Sequence, residues 1–108
     1  MEGFWTVQFN GVQGFGWGVV TLIGGQVFGG DSAFLYTGTY TDQNNTLNAR
    51  VRVQRAAPGA QSVMGRDQFD LELTGALQGN AIAAAGSIPG TPLKFQARLT
   101  KHGDLPRK

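Results

Sequence analysis

Between residues 47 and 54 the chain alternates without a break. Leu47, Ala49, Val51 and Val53 fall on one side, and Asn48, Arg50, Arg52 and Gln54 on the other. Side chains of a strand point to its two faces in turn, so this pattern describes a β-strand with one face for a core and one for water. The same alternation recurs elsewhere. Trp5, Val7 and Phe9 oppose Thr6, Gln8 and Asn10; Phe69, Leu71 and Leu73 oppose Asp70, Glu72 and Thr74; Phe95, Ala97 and Leu99 oppose Lys94, Gln96, Arg98 and Thr100. A chain built from such pieces must bury many one-sided strands against one another.

Turn signals separate these pieces at short intervals: Asn10-Gly11, Gly24-Gly25, Asp42 to Asn45, Gln78-Gly79-Asn80 and Pro89 to Pro92. Between them lie a second strand over 14–23, a short third around Gln26 to Phe28, a fourth over 33–41 and a weaker seventh over 81–88. The alanines of the seventh are bracketed too closely by Gly79, Gly86 and Pro89 for a helix. Residues 56–67 form the longest irregular piece, where Pro58, Gly59 and Gly65 leave room for no more than a turn of helix. The expected fold class is therefore all-β, an antiparallel meander of about eight strands. A meander of that length either closes or exposes two unpaired edges, so a small up-and-down barrel of the lipocalin or calycin kind is expected, with a two-sheet sandwich second. Residues 1–101 would make the single barrel domain and 102–108 a polar tail. Trp5, Phe9, Phe15, Trp17, Phe34, Tyr36, Phe69 and Phe95 are the candidates to fill the interior.

Gly29-Gly30-Asp31-Ser32 forms a structural corner ahead of the fourth strand. Paired glycines allow a sharp turn, and the short polar side chains of Asp31 and Ser32 can fix it by accepting backbone hydrogen bonds. Beyond the corner, Phe34, Tyr36, Gly38 and Tyr40 share one strand face, and Leu35, Thr37 and Thr39 the other.

Composition narrows function mainly by exclusion. The chain of 108 residues has no cysteine, so disulfides, thiol nucleophiles and cysteine metal sites are excluded. His102 is its one histidine and lies outside any metal or triad spacing. Nine Lys and Arg against seven Asp and Glu, without clustering, do not make a nucleic-acid footprint. Arg50 and Arg52 read as a solvated face, because Asn48 and Gln54 stand where stacking aromatics would be needed. Gly14-Phe15-Gly16-Trp17-Gly18 lacks the strand–turn–helix setting of a phosphate loop. Asp31 has no second carboxylate to work with. No catalytic, cofactor or metal residues are assigned, and the expectation is a non-enzyme. No apolar run approaches the ~20 residues that cross a bilayer, and Met1 to Trp5 do not read as a secretory signal, so a cytoplasmic location without membrane contact is expected.

The second strand is apolar on both faces. Its face of Gly14, Gly16, Gly18, Val20 and Leu22 is flat, and Gly16, Gly18, Val20 and Leu22 are assigned as a dimer interface, with cover by the 56–67 loop as the alternative.

Three stretches carry a family likeness: Gly3 to Phe9, the corner with Tyr36-Thr37-Gly38, and Pro58 to Val63 followed by Phe69 to Leu73. Together they resemble the GrlR-type negative regulators of type III secretion, over roughly residues 3 to 100. The resemblance implies a calycin-like barrel, a bacterial source, a homodimer and regulation through binding a transcriptional activator. It places the partner contact at the turn after strand four, here Asp42, Gln43, Asn44 and Asn45, where Asp42 alone is charged. Gly3-Phe4-Trp5 also resembles the Gly-x-Trp opening of lipocalin-like barrels, in which a basic residue of the last strand covers the tryptophan; Lys101 has the parity for that contact. A second reading is a carrier or sensor of a small apolar ligand, with Trp17, Phe34, Tyr36, Tyr40 and Phe95 lining the pocket.

Overall fold

In the computed structural model, which describes residues 1–11, 14–56 and 68–104, the chain is a closed antiparallel barrel. Its strands are β1 (Gly3–Gly11), β2 (Gly14–Ile23), β3 (Gln26–Gly30), β4 (Phe34–Gln43), β5 (Thr46–Arg55), β6 (Gln68–Gln78), β7 (Ala81–Ser87) and β8 (Lys94–Gly103). Each strand pairs with its neighbour in sequence, and β1 closes the ring on β8 from Phe4 opposite Gly103 to Asn10 opposite Gln96. None of the described residues is helical. This is the all-β, up-and-down architecture that the alternation predicts, and closure removes both sheet edges.

The hairpin turns follow from their residues. Gly24 and Gly25 both have positive φ (58° and 80°), as do Asn44 and Asn45 (54° and 60°). These are the backbone angles of a two-residue turn whose twist matches that of its strands, and glycine and asparagine adopt them most readily.

The interior is graded from one end to the other. Trp5, Leu22, Leu47 and Ile82 are fully buried, and they lie towards the end that carries the 24–25, 44–45 and 79–80 turns. The Trp5 indole N–H donates to the Met1 carbonyl at 3.1 Å, so its one polar atom is satisfied inside. The opposite end is lined by rings, among them Phe34, Tyr36, Phe69 and Phe95.

The structure corrects the assignment of faces on β2. Val20 and Leu22 are in the core, at 6% and 1% exposure, while Trp17 is 58% exposed. Gly16 also lines the interior. The face of Gly16, Gly18, Val20 and Leu22 therefore packs inward and cannot be a dimer interface, and Trp17 is not an interior filler. The reason is steric. A Cβ at Gly18 would sit 2.9 Å from both the ring and the hydroxyl of Tyr36. Glycine faces inward there because the tyrosine of β4 occupies the space a side chain would need.

β8 runs to Gly103, so His102 belongs to the barrel and its Nε2 lies 3.0 Å from the Thr6 hydroxyl. Lys101 stands opposite Trp5 across the ladder, but its ammonium pairs with Asp104 at 3.0 Å. Among the described residues, the cation–π contact is instead Arg55 over Phe34. The expectations for residues 57–67, for the Phe15 side chain and for the tail beyond residue 104 fall outside the described residues.

Candidate functional site

The barrel encloses a cavity of about 290 Å3 to which every strand but β7 contributes. The expectation of a mostly filled interior is thus replaced by a chamber, and the outward turn of Trp17 removes one of the rings counted on to fill it. Its wall is overwhelmingly apolar: Val7 and Phe9 from β1, Val51 and Val53 from β5, Phe69 and Leu71 from β6, Phe95 and Ala97 from β8. Trp17 and Ser32 also border it and are both exposed. The entrance therefore lies at the ring-lined end, beside the glycine corner.

Four of the five sequence-assigned pocket residues, Trp17, Phe34, Tyr36 and Phe95, line this cavity. Tyr40 does not. It lies four residues beyond Tyr36 along β4, where Leu22 and Leu47 already fill the interior, and it borders a shallow outer groove with Asn48, Arg50 and Glu72. The Asp42–Asn45 turn is at the closed end, away from the entrance, and Asp42 pairs with the amino group of Met1 at 3.2 Å.

The corner supplies the polar part of the wall. Asp31 Oδ1 accepts hydrogen bonds from the Ala33 and Phe34 amides, each at 2.9 Å, and its own amide donates to the Phe34 carbonyl at 3.0 Å. Its other oxygen, Oδ2, accepts a short hydrogen bond from the Tyr36 hydroxyl. Asp31 and Tyr36 both border the cavity and, among the described residues, are the ionisable groups in its wall. Tyr36 also meets Phe9 edge to face, with ring centroids 6.2 Å apart. The sequence signals the corner itself; it does not signal that the inward tyrosine five residues later returns to bond the corner's carboxylate.

Burial, together with the hydrogen bond to a negatively charged acceptor, pushes the Tyr36 hydroxyl far above its ordinary value. Its pKa is raised in the folded state, so the stability tied to the protonated hydroxyl is complete below the unfolded pKa of about 10 and is lost as pH climbs beyond it. In an alkaline absorbance titration at 295 nm, Tyr36 should ionise only together with unfolding. Ionisation of both tyrosines below pH ~11 in protein that still shows a native circular dichroism spectrum would contradict this.

On the outer surface, Arg50 pairs with Glu72 at 3.3 Å and Arg52 with Asp70 at 3.0 Å, directly across the β5–β6 ladder. Both pairs are solvent-exposed and contribute little to stability. Among the described residues no group of His, Asp and Glu is arranged to hold a metal ion.

Among the described residues, fold and cavity together define a small closed up-and-down barrel with an apolar chamber that reaches the surface beside the glycine corner. No family model matches the chain, and no curated protein matches it. Its class is read from its own geometry.

Proposed function

We propose that the barrel holds one small, largely apolar molecule in its interior, as a carrier or sensor that does no chemistry on it. The observation behind this reading is the cavity of about 290 Å3 with its apolar wall and its entrance at the corner. Engineered apolar cavities of roughly 150 Å3 stay dry and take up benzene; this one has about twice that volume, enough for a fused bicyclic ring. Its size is at the lower bound of ordinary ligand sites. Titration of isotopically labelled protein with naphthalene should give saturable one-to-one binding, with amide shifts centred on Gly16, Tyr36 and Ala97. The absence of saturable shifts there would remove the reading.

A second reading, association with protein, is favoured by a different surface from the one the sequence indicated. The outward positions of β1 to β4 carry no charge, and Phe4, Trp17, Val19, Ile23, Phe28 and Leu35 are all exposed on them. Gly30 lies between Val19 and Leu35 across the ladder. An uncharged face can meet a second copy of itself without like-charge repulsion or ion desolvation. This reading keeps the homodimer and the GrlR-like regulatory role as proposals, and moves the contact from the inner to the outer face of β2. The wild-type chain should sediment as a dimer and Leu35→Glu as a folded monomer. A monomeric wild type, or a dimer that survives the substitution, would remove the interface.

A further inference from the structure

We infer that the cavity is built for an apolar molecule with a hydrogen-bond-donating head, a hydroxyl or a protonated amine, and discriminates against an anionic one; this rests on the ligand-binding reading above. The corner leaves few hydrogen-bonding positions open. A carboxylate has about four acceptor positions. Asp31 uses two on Oδ1 for the Ala33 and Phe34 amides and one on Oδ2 for the Tyr36 hydroxyl. Since the hydroxyl proton of Tyr36 is committed to Asp31, its oxygen faces any further partner only as an acceptor. The one remaining position on Asp31 is an acceptor as well. Of the other described side chains at the entrance, the Ser32 hydroxyl can serve as donor or acceptor and carries no charge, while the Trp17 ring is turned outward.

The electrostatics agree. Among the described residues, Asp31 is the charged one in the cavity wall, and no described basic residue lines it. Arg55 approaches the same end, but its guanidinium is engaged over the Phe34 ring, 5.6 Å from the centroid, and it is not part of the wall. A carboxylate or phosphate head brought into this chamber would be desolvated beside a like charge and would face two acceptors. A hydroxyl or ammonium would donate to them, and a hydrogen bond to a charged group in a low-dielectric site is among the stronger kinds.

Three probes with one ring system test this by calorimetry at pH 7: 1-naphthylmethanol, 1-naphthylmethylamine and 1-naphthoic acid. The alcohol and the amine should bind about tenfold more tightly than the acid, or better. Asp31→Asn keeps an oxygen for the two corner amides and removes the charge, so the gap should close chiefly through tighter binding of the acid. Acid binding equal to or tighter than the alcohol in the wild-type chain would overturn the inference while leaving a ligand-binding barrel. A gap undiminished in a folded Asp31→Asn would also overturn it. Should that variant fail to fold, the wild-type ranking decides alone. Failure of all three probes to bind would instead remove the ligand-binding reading itself.

Discussion

Replacing Trp5 by alanine is expected to cost about 3–5 kcal/mol, the range for removing a buried large aromatic side chain. For a domain of this size that is a large part of its whole stability, since small domains retain only about 5–15 kcal/mol. Trp5 has no exposed surface, and its N–H is bonded to the Met1 carbonyl. It fills the closed end, where Leu22, Leu47 and Ile82 are also fully buried, so no neighbour has slack to collapse into the vacated volume. Trp5→Phe should recover most of the loss, leaving the Met1 carbonyl without its donor. Chemical denaturation monitored by circular dichroism measures both variants. A loss below about 1 kcal/mol for the alanine variant would mean that the closed end is not held by this residue.

The sequence made some of these elements legible and hid others for physical reasons. β5 could be read with its correct inward face because its two sides differ: aliphatic on one, polar and basic on the other. The barrel followed from repeating that pattern through a meander with tight turns. β2 could not be oriented in the same way, because Trp17, Val19 and Ile23 are as apolar as Val20 and Leu22. Its orientation is set by Tyr36, eighteen positions beyond Gly18, whose ring occupies the space inside that glycine. A hydrophobic alternation rule weighs the residue present and misses the volume that a partner strand has already taken.

The cavity was hidden for a related reason. An inventory of aromatic residues counts rings without showing which way each faces, and Trp17, at the cavity's rim, is turned outward. The corner was the opposite case. Gly29, Gly30, Asp31 and Ser32 read as a tight, side-chain-fixed turn, and the structure shows Asp31 bonding the Ala33 and Phe34 amides. What stayed out of reach was the third bond, to Tyr36. It depends on the corner turning the Asp31 carboxylate towards the second inward side chain of β4. The polar part of the candidate site is therefore set by how the corner folds back over the inward face of β4, which residue types alone do not specify.

Filling the cavity should separate ligand binding from folding. Ala49 lines the chamber and stands on β5 between Leu47 and Val51, both inward. A phenylalanine there would project into the void. In a packed core such an enlargement costs about 1–3 kcal/mol, but here the added ring enters volume that is already empty and gains burial of roughly 25 cal/mol per Å2 of apolar surface. Ala49→Phe should accordingly leave the thermal midpoint unchanged or raise it, while naphthalene binding falls by more than about tenfold, a change of 1.4 kcal/mol or more. The direction is opposite to that of Trp5→Ala, which empties the filled end. Leu35→Glu serves as the control, because it alters the exposed outer face and leaves the chamber untouched. If Ala49→Phe folds and still binds naphthalene as the wild type does, the molecule sits elsewhere, and the apolar outer face of β1 to β4 becomes the surface to test. If binding is lost in Ala49→Phe and retained in Leu35→Glu, the interior is the site.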